Sequence, residues 1–346
     1  MTPHTDLGKV AIITGANSNL GICIGKRLMD SISPDTRLTI IVSSRTLPRA
    51  KEALKTLKEY ALKRHLQRPA LIEFDYILFD FNNMVSVTGA SHELNKRYRH
   101  IDYFFANSAF GLFDGIDWVM AAKECSTNLM QAVTDPSYKK QIIGGTTRDG
   151  MGSVFQANVF GPWFMLNEII PLMKNGGKFI WISSLLSDPT RVDFTDIELV
   201  KNSKSYEGSK RLIDLLHEAT YQRLLNQHGI QSYLVHPGIF RSSSFAQFLN
   251  IFTYYGMIMM FYIARFLGSP WHVIDAYVAA NAVIWAATKA TPETVDQSYK
   301  YGSACDWSGK EYVKTEAFDS SKKEIVEEYV EKKRFEWKQK LKNQID

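Results

Sequence analysis

Short apolar runs and longer amphipathic stretches take turns along the first 240 residues of the chain. Period-two and buried runs point to strands, and the 3.6-residue period between them points to helices. Residues 9–14 are an apolar run that leads into a turn at 15–21, and an amphipathic stretch follows to about residue 32. The β-branched run 38–43 predicts a buried strand, and 47–63 a helix with a heavily charged face. A third strand is expected over 72–79, a helix over 85–97 and a fourth strand over 102–106. Residues 112–153 are only partly periodic and read as an extended insertion with some helix. Beyond them the pattern predicts a helix over 154–173, a strand over 178–183, a helix over 206–227 and a strand over 231–236.

Such alternation is the signature of an α/β protein, a doubly wound, Rossmann-type parallel sheet with helices on both faces. No repeat, and no Gly/Ser- or Pro-rich stretch, breaks the first 240 residues, so a single domain is expected. Within it, 1–242 would form a dinucleotide-binding and catalytic core and 243–275 an apolar lid or membrane-contact segment. Residues 276–346 would complete the fold and end in a charged helix.

Composition changes this picture little. At 346 residues, 45% apolar and 22% charged, the chain is ordinary for a folded protein. Its net charge of +5 is scattered, so no nucleic-acid partner is expected. Cys23, Cys125 and Cys305 lie far apart without a CxxC pair, and the histidines show no metal-ligand spacing, so neither a disulfide framework nor a metal is expected. Residues 1–9 are polar, unlike a secretory leader, and the N-terminus is expected to face the cytosol.

The turn Thr14-Gly15-Ala16-Asn17-Ser18-Asn19-Leu20-Gly21 sits where the first strand meets the first helix. Glycines there let backbone approach a pyrophosphate, and the helix start offers free N–H groups, although two glycines also occur in plain turns. Asn19 stands where a further glycine is expected, and asparagine tolerates positive φ better than most residues. The second strand ends in Ser44 and Arg45, with Arg49 close behind and no acidic residue between Thr36 and Lys51. An arginine suits the 2′-phosphate of NADPH, whereas NADH calls for an acid; Arg45 could also simply begin a solvated helix. Asp80, after the third strand, is either an acceptor for the adenine amino group or a plain cap.

Tyr206 and Lys210 are four apart, on one face of one helix. Tyr329 and Lys333 share that spacing in the charged tail, but no strand and serine precede them. Upstream of Tyr206 an apolar strand ends Trp181-Ile182-Ser183-Ser184 at the carboxyl edge of the sheet, where ligands bind in such folds. A phenol beside an ammonium can protonate a carbonyl oxygen that gains charge as hydride arrives. The ammonium is expected to lower the phenol's pKa. Ser184, with Ser183 as competitor, would bond the substrate oxygen, and Asn158 would hold a water that relays protons to Lys210.

The ordered set Thr14 to Gly21, Asn107-Ser108-Ala109, Asn158, Ser184, Tyr206 to Lys210 and Pro237-Gly238 resembles the short-chain dehydrogenases/reductases. The resemblance implies their fold, a nucleotide site that includes Gly15, Asn17, Leu20, Asn107, Pro237, Gly238 and Ser242, and an Asn–Ser–Tyr–Lys tetrad. It favours Ser184 over Ser183. Departures are Asn19, Phe110 after Asn107-Ser108-Ala109, and a long gap between Ser184 and Tyr206.

A finer resemblance rests on Ser44-Arg45-Thr46-Leu47-Pro48-Arg49, Phe113-Asp114-Gly115-Ile116-Asp117-Trp118, residues 181–189 and Leu267-Gly268-Ser269-Pro270-Trp271-His272. These segments look like those of the fungal 3-keto-steroid reductases of ergosterol synthesis. That likeness implies NADPH-dependent reduction of the 3-ketone of C4-demethylated sterols. It also implies work beside other C4-demethylation and sterol-synthesis enzymes, on the cytosolic face of the endoplasmic reticulum and on lipid droplets. Another lipid carbonyl (retinal, a 17-keto steroid) and an added scaffold role for those enzymes are the alternatives.

Residues 242–264 carry no charged side chain and follow directly on the expected nucleotide edge. Three readings stand: a buried structural helix, a substrate lid that dips into one leaflet as a peripheral or monotopic contact, and a full membrane span. The tail, 322–346, has six basic residues and one acidic from Lys332 to Lys342, and is either a solvated helix or a contact for anionic headgroups.

Overall fold

A computed structural model describes residues 8–65, 71–242 and 247–342. Strands β1 (Lys9–Ile13), β2 (Leu38–Ser44), β3 (Ile72–Leu78), β4 (Tyr103–Ala106), β7 (Lys178–Ile182), β8 (Gln231–His236), β11 (Lys300–Cys305) and β12 (Glu311–Glu316) form one sheet. The order is β12-β11-β8-β7-β4-β1-β2-β3. Every neighbouring pair is parallel except β11 with β12. The remaining short strands are β5 (Phe113–Ile116) with β6 (Lys139–Gln141), and β9 (Ile239–Phe240) with β10 (His272–Ile274).

The helices are α1 (Asn19–Ser31), α2 (Leu47–Arg64), α3 (Met84–Arg97), α4 (Trp118–Thr127), α5 (Leu129–Thr134), α6 (Ser153–Phe155), α7 (Gly161–Glu168), α8 (Ile170–Met173) and α9 (Ser205–His228). Then come α10 (Ile251–Phe266), α11 (Ala276–Ala279), α12 (Asn281–Thr288) and α13 (Lys323–Leu341). Successive strand residues point to opposite faces. Ile12, Phe104 and Trp181 therefore enter one core with α3, α7, α9 and α13. Their neighbours Ile13, Phe105 and Ile182 enter the other with α1, α2 and α12. The doubly wound architecture follows from that alternation.

Three regions differ from what the pattern predicts. The helix expected over 154–173 is interrupted by a π turn, Gln156–Phe160, and again at Ile169. Prolines account for both breaks: Pro162 has no N–H to send to the Asn158 carbonyl four residues back, and Pro171 disfavours helical backbone just before it. The insertion holds a two-stranded antiparallel ribbon, β5 with β6, as well as its helices; strands of three and four residues are too short to show a period. Neither a buried helix nor a span describes α10. Only Phe261 and Ala264 of it are buried, and no helix among the described residues is long and apolar enough to cross a membrane.

The charged tail helix packs onto the core through Val326, Val330, Trp337 and Leu341. Much of its basic run is paired within the chain: Lys333 with Glu198, Arg334 with Glu331 and Lys338 with Glu168. Positions 243–246, the start of the expected lid segment, lie outside the described residues.

Candidate active site

The carboxyl ends of the central strands open into a cavity of about 770 Å³. Its walls include Gly15, Asn17, Asn19, Leu20, Ser44, Arg45, Asp80 and Asn107 toward one end of the sheet, and Asn158, Ser184, Tyr206, Lys210, Pro237, Gly238 and Ser242 toward the other. Of the residues assigned to the nucleotide site and the tetrad, Gly21 alone stands behind the wall.

The first turn is built for close approach. Gly15 has φ +61°, in the left-handed region that favours glycine, and a Cβ there would lie 3.1 Å from Ser108 Cα. At Gly21 a Cβ would come within 2.6 Å of the Gly15 carbonyl oxygen, so α1 can start against the turn only with glycine. Ser18 caps α1 by accepting the Gly21 N–H at 3.0 Å. Asn107 donates to the Thr14 and Gly15 carbonyls at 2.8 and 3.2 Å and ties the turn to the end of β4. Asn19 does not use a positive φ: it is the first residue of α1 and donates to the Arg241 carbonyl at 3.2 Å, so its place there brings no backbone strain. Glycine corner, free helix N–H groups and adjoining cavity fit the pyrophosphate of a nicotinamide dinucleotide. Arg45 and Arg49 are exposed at the mouth beside Ser44. Asp80 accepts the Asn82 N–H at 3.0 Å, so it stabilises its loop while it lines the cavity.

On the opposite wall the two serines part ways. Ser183 is buried and donates to Asp214 Oδ1, which removes it from the cavity chemistry. Ser184 accepts the Leu186 N–H at 3.1 Å, a contact that leaves the hydroxyl hydrogen to donate elsewhere. Asn158, inside the π turn, spends its side chain on the protein: Oδ1 accepts the Phe110 N–H at 2.7 Å, and Nδ2 donates to the Phe110 carbonyl and Ser209 Oγ. The side chain is thus committed, and the Asn158 group that Pro162 leaves without its helical donor is the backbone carbonyl.

Lys210 Nζ donates to the Ile182 carbonyl at 2.7 Å and stands 5.6 Å from the centre of the Tyr206 ring. Burial pushes the Tyr206 phenol up to about 12, with the Glu207 charge acting in the same direction. Burial brings Lys210 down to about 8. The expected lowering of the phenol by its neighbour is therefore not a property of the chain alone; in a desolvated site, removing the phenol's proton needs further positive charge.

No pattern in the insertion foreshadows how it serves this site. Phe113 of β5 packs on the Tyr206 ring, with centroids 5.6 Å apart. Gln141 of β6 accepts the Tyr206 N–H at 3.1 Å and donates to Glu207 at 2.6 Å, satisfying a free donor at the start of α9. Asp214, one turn beyond Lys210, was within reach of the same i,i+4 rule that paired Tyr206 with Lys210.

A doubly wound sheet with a glycine-cornered nucleotide turn, and a tyrosine and lysine on the same cavity, defines an oxidoreductase that works with a nicotinamide cofactor. The profile of the short chain dehydrogenase family matches residues 9–250, and the chain belongs to that family. It is 51% identical over 338 residues to a 3-keto-steroid reductase of Saccharomyces cerevisiae, covering 97% of both chains. A 3-keto-steroid reductase of Yarrowia lipolytica is 43% identical over 343 residues, 99% of each chain. Among solved structures, the NADPH-dependent reductase YwfH of bacilysin biosynthesis superposes with a TM-score of 0.58 at 14% identity, over 87% of this chain and 98% of that one. The L-sorbose reductase of Gluconobacter frateurii, complexed with NADPH and L-sorbose, gives 0.58 at 15% identity over 87% and 95%. Those two likenesses concern the fold.

Proposed function

We propose that the protein reduces the 3-keto group of C4-demethylated sterol intermediates to the 3-hydroxyl in ergosterol biosynthesis, using NADPH. The observation that carries the reading is one cavity in which Tyr206, Lys210 and Ser184 meet the nucleotide turn at one side and Met257 and Phe261 of the uncharged α10 at the other. Near-full-length similarity to enzymes named 3-keto-steroid reductases supports the choice of substrate. Exposed Arg45 and Arg49, with no acidic residue between Thr36 and Lys51 at the end of β2, support NADPH over NADH.

When bound, NADPH supplies the hydride. Ser184 donates to the ketone oxygen and fixes it beside the phenol. Tyr206, held protonated at neutral pH by its raised pKa, hands that oxygen a proton. Lys210 holds its charge against the Ile182 carbonyl and favours the phenolate that remains. Asn158 and Gln141 position Phe110 and the start of α9. Ser242, on the cavity wall, would hold the nicotinamide end of the bound cofactor.

We further place α10 in the outer part of one membrane leaflet. Phe252, Tyr255, Met259, Tyr262 and Phe266 follow a three–four spacing and form an exposed apolar stripe, with Phe252 85% and Phe266 75% exposed. Burying each phenylalanine in lipid gains about 2 kcal/mol. Met257, Met260 and Phe261 on the other face pack toward Val133 of the insertion. Such a helix lies in the interface rather than across it, and an apolar substrate can enter beside it. The cytosolic leaflet of the endoplasmic reticulum and the lipid-droplet surface are the sites that the resemblance to the fungal sterol reductases adds to this reading.

The test is turnover of purified protein on a 3-keto sterol, a 17-keto steroid and retinal, each with NADPH and with NADH. The 3-keto sterol with NADPH should be fastest by at least tenfold, about 1.4 kcal/mol in transition-state stabilisation. Equal rates on the three ketones would remove the sterol assignment.

A further inference from the structure

Behind the wall that carries Ser184 lies a buried ion pair that the proposed chemistry does not use. Asp214 of α9 is fully buried and Lys300 of β11 is 5% exposed. Lys300 Nζ donates to Asp214 Oδ2 at 2.6 Å, to Ser187 Oγ at 2.5 Å and to the Ser184 carbonyl at 3.3 Å, which occupies its three hydrogens. The carboxylate is equally committed: Oδ1 accepts from Ser183, and Oδ2 accepts from Ser187 at 2.6 Å as well as from Lys300. The pair thus grips the turn after β7 at residues 183, 184 and 187 and fastens it to α9 and β11.

Stability alone is a weak reason to keep such a pair. Taking two charges out of water costs more than apolar packing of the same volume, so buried pairs often persist for the geometry they impose. Here the geometry is that of the turn that presents the Ser184 hydroxyl to the cavity. With Ser183 tied to Asp214, the following residue is presented to the cavity, and the bond from Lys300 to its carbonyl fixes the rotation of that peptide. Asp214 also lies one helical turn from Lys210, and its negative charge opposes the loss of that lysine's proton.

We propose that Asp214 and Lys300 are positioning residues for the reduction, holding Ser184 in register with Tyr206 across the cavity. This rests on the assignment of Ser184 as the donor to the ketone oxygen. A displacement of an ångström or less at a catalytic donor costs up to about 100-fold in rate. The requirement is for the pair together, because removing one member leaves the other charge buried without its partner.

The test uses full-length protein with NADPH and a 3-keto sterol. The double replacement Asp214→Leu with Lys300→Met removes both charges. The melting temperature should fall only moderately, because Ser183 and Ser187 lose a buried acceptor, while kcat falls roughly 10-fold or more and the KM for NADPH is unchanged. Placed on Ser184→Ala, the same double replacement should cost less than about twofold, since its effect runs through that hydroxyl. Where the double variant does not fold, Asp214→Asn with Lys300→Met takes its place, leaving no unpaired charge and a polar partner for Ser183 and Ser187, with the same expected loss of kcat and the same dependence on Ser184. A parent-like kcat in the folded variant, or a full multiplicative loss on top of Ser184→Ala, overturns the proposal. Ser184→Ala with parent-like kcat overturns it by a different route, through the serine assignment, and the two failures are told apart by which variant keeps its rate.

Discussion

Two tyrosine–lysine pairs with identical spacing end in opposite surroundings. Lys210 stands 5.6 Å from the Tyr206 ring centre and Lys333 stands 5.4 Å from that of Tyr329. Burial raises both phenols. Yet Tyr206 opens on the cavity beside Ser184, whereas the Tyr329 hydroxyl and Lys333 Nζ both bond Glu198 Oε1 at 2.6 Å. Glu198 in turn accepts the Gly152 N–H at 3.0 Å, just before the helix that leads to Asn158. The second pair is a clamp that fastens the tail helix to the loop ahead of α9. Spacing, ring–ammonium distance and the direction of the pKa shift are shared, so none of them makes a catalyst. The edge of the sheet and an unspent hydroxyl do.

Exchanging the members of the two pairs gives the largest contrast. Tyr206→Phe should lower kcat by about 10² to 10⁴ with NADPH binding retained, and Lys210→Met by a similar order. Tyr329→Phe should leave kcat within about twofold but lower stability by about 1 to 2 kcal/mol, read by denaturant unfolding, because a hydrogen bond to a carboxylate is lost. The nucleotide end should answer only to the first pair's side of the molecule. Arg45→Glu should raise the KM for NADPH by roughly 10-fold or more relative to NADH, with unfolding unchanged.

The pairs also separate along the pH axis. Burial would raise the Glu198 carboxyl, but hydrogen bonds from Lys333 and Tyr329 outweigh it and hold it below its ordinary value near 4.5. That contribution to stability is complete above this value and is lost as pH falls through the lower folded one. Lys210 behaves in the reverse sense. The folded chain binds its proton less tightly than the unfolded chain, so burial costs stability below about 8, and the cost fades as pH climbs toward 10.5. Lys210→Met should therefore stabilise the fold at pH 7 and lose that advantage at high pH, while Lys333→Met should weaken it most where Glu198 is ionised. The smallest effect on turnover in detergent should come from Phe252→Asp with Phe266→Asp, which should nonetheless abolish co-flotation with phospholipid vesicles.

Most of the sheet was legible because its central strands are buried on both faces and its helices carry one apolar stripe. The predicted bounds of β1, β2, β3, β4, β7 and β8 lie within a residue of the observed ones. The nucleotide turn was legible because Gly15 and Gly21 meet steric demands that no other residue satisfies. What escaped was long-range pairing. Gln141, Phe113 and Lys300 reach the site from segments 65, 93 and 86 residues away from their partners Tyr206, Tyr206 and Asp214, and nothing periodic announces such contacts. The interruption at Asn158 was foreshadowed by Pro162, whose missing N–H is a local fact. The outward stripe of α10 could not be told from a buried face, since both faces of that helix are apolar.

Transfer of deuterium from NADPH labelled at nicotinamide C4 to a 3-keto sterol, followed by mass spectrometry of the product, addresses the central assignment most directly. Parent protein and Tyr329→Phe should both yield the 3-alcohol with deuterium at carbon 3, and Tyr206→Phe should yield almost none while still binding the nucleotide. Labelled alcohol from Tyr206→Phe at the parent's rate, or its loss in Tyr329→Phe alone, would contradict the placement of the proton donor.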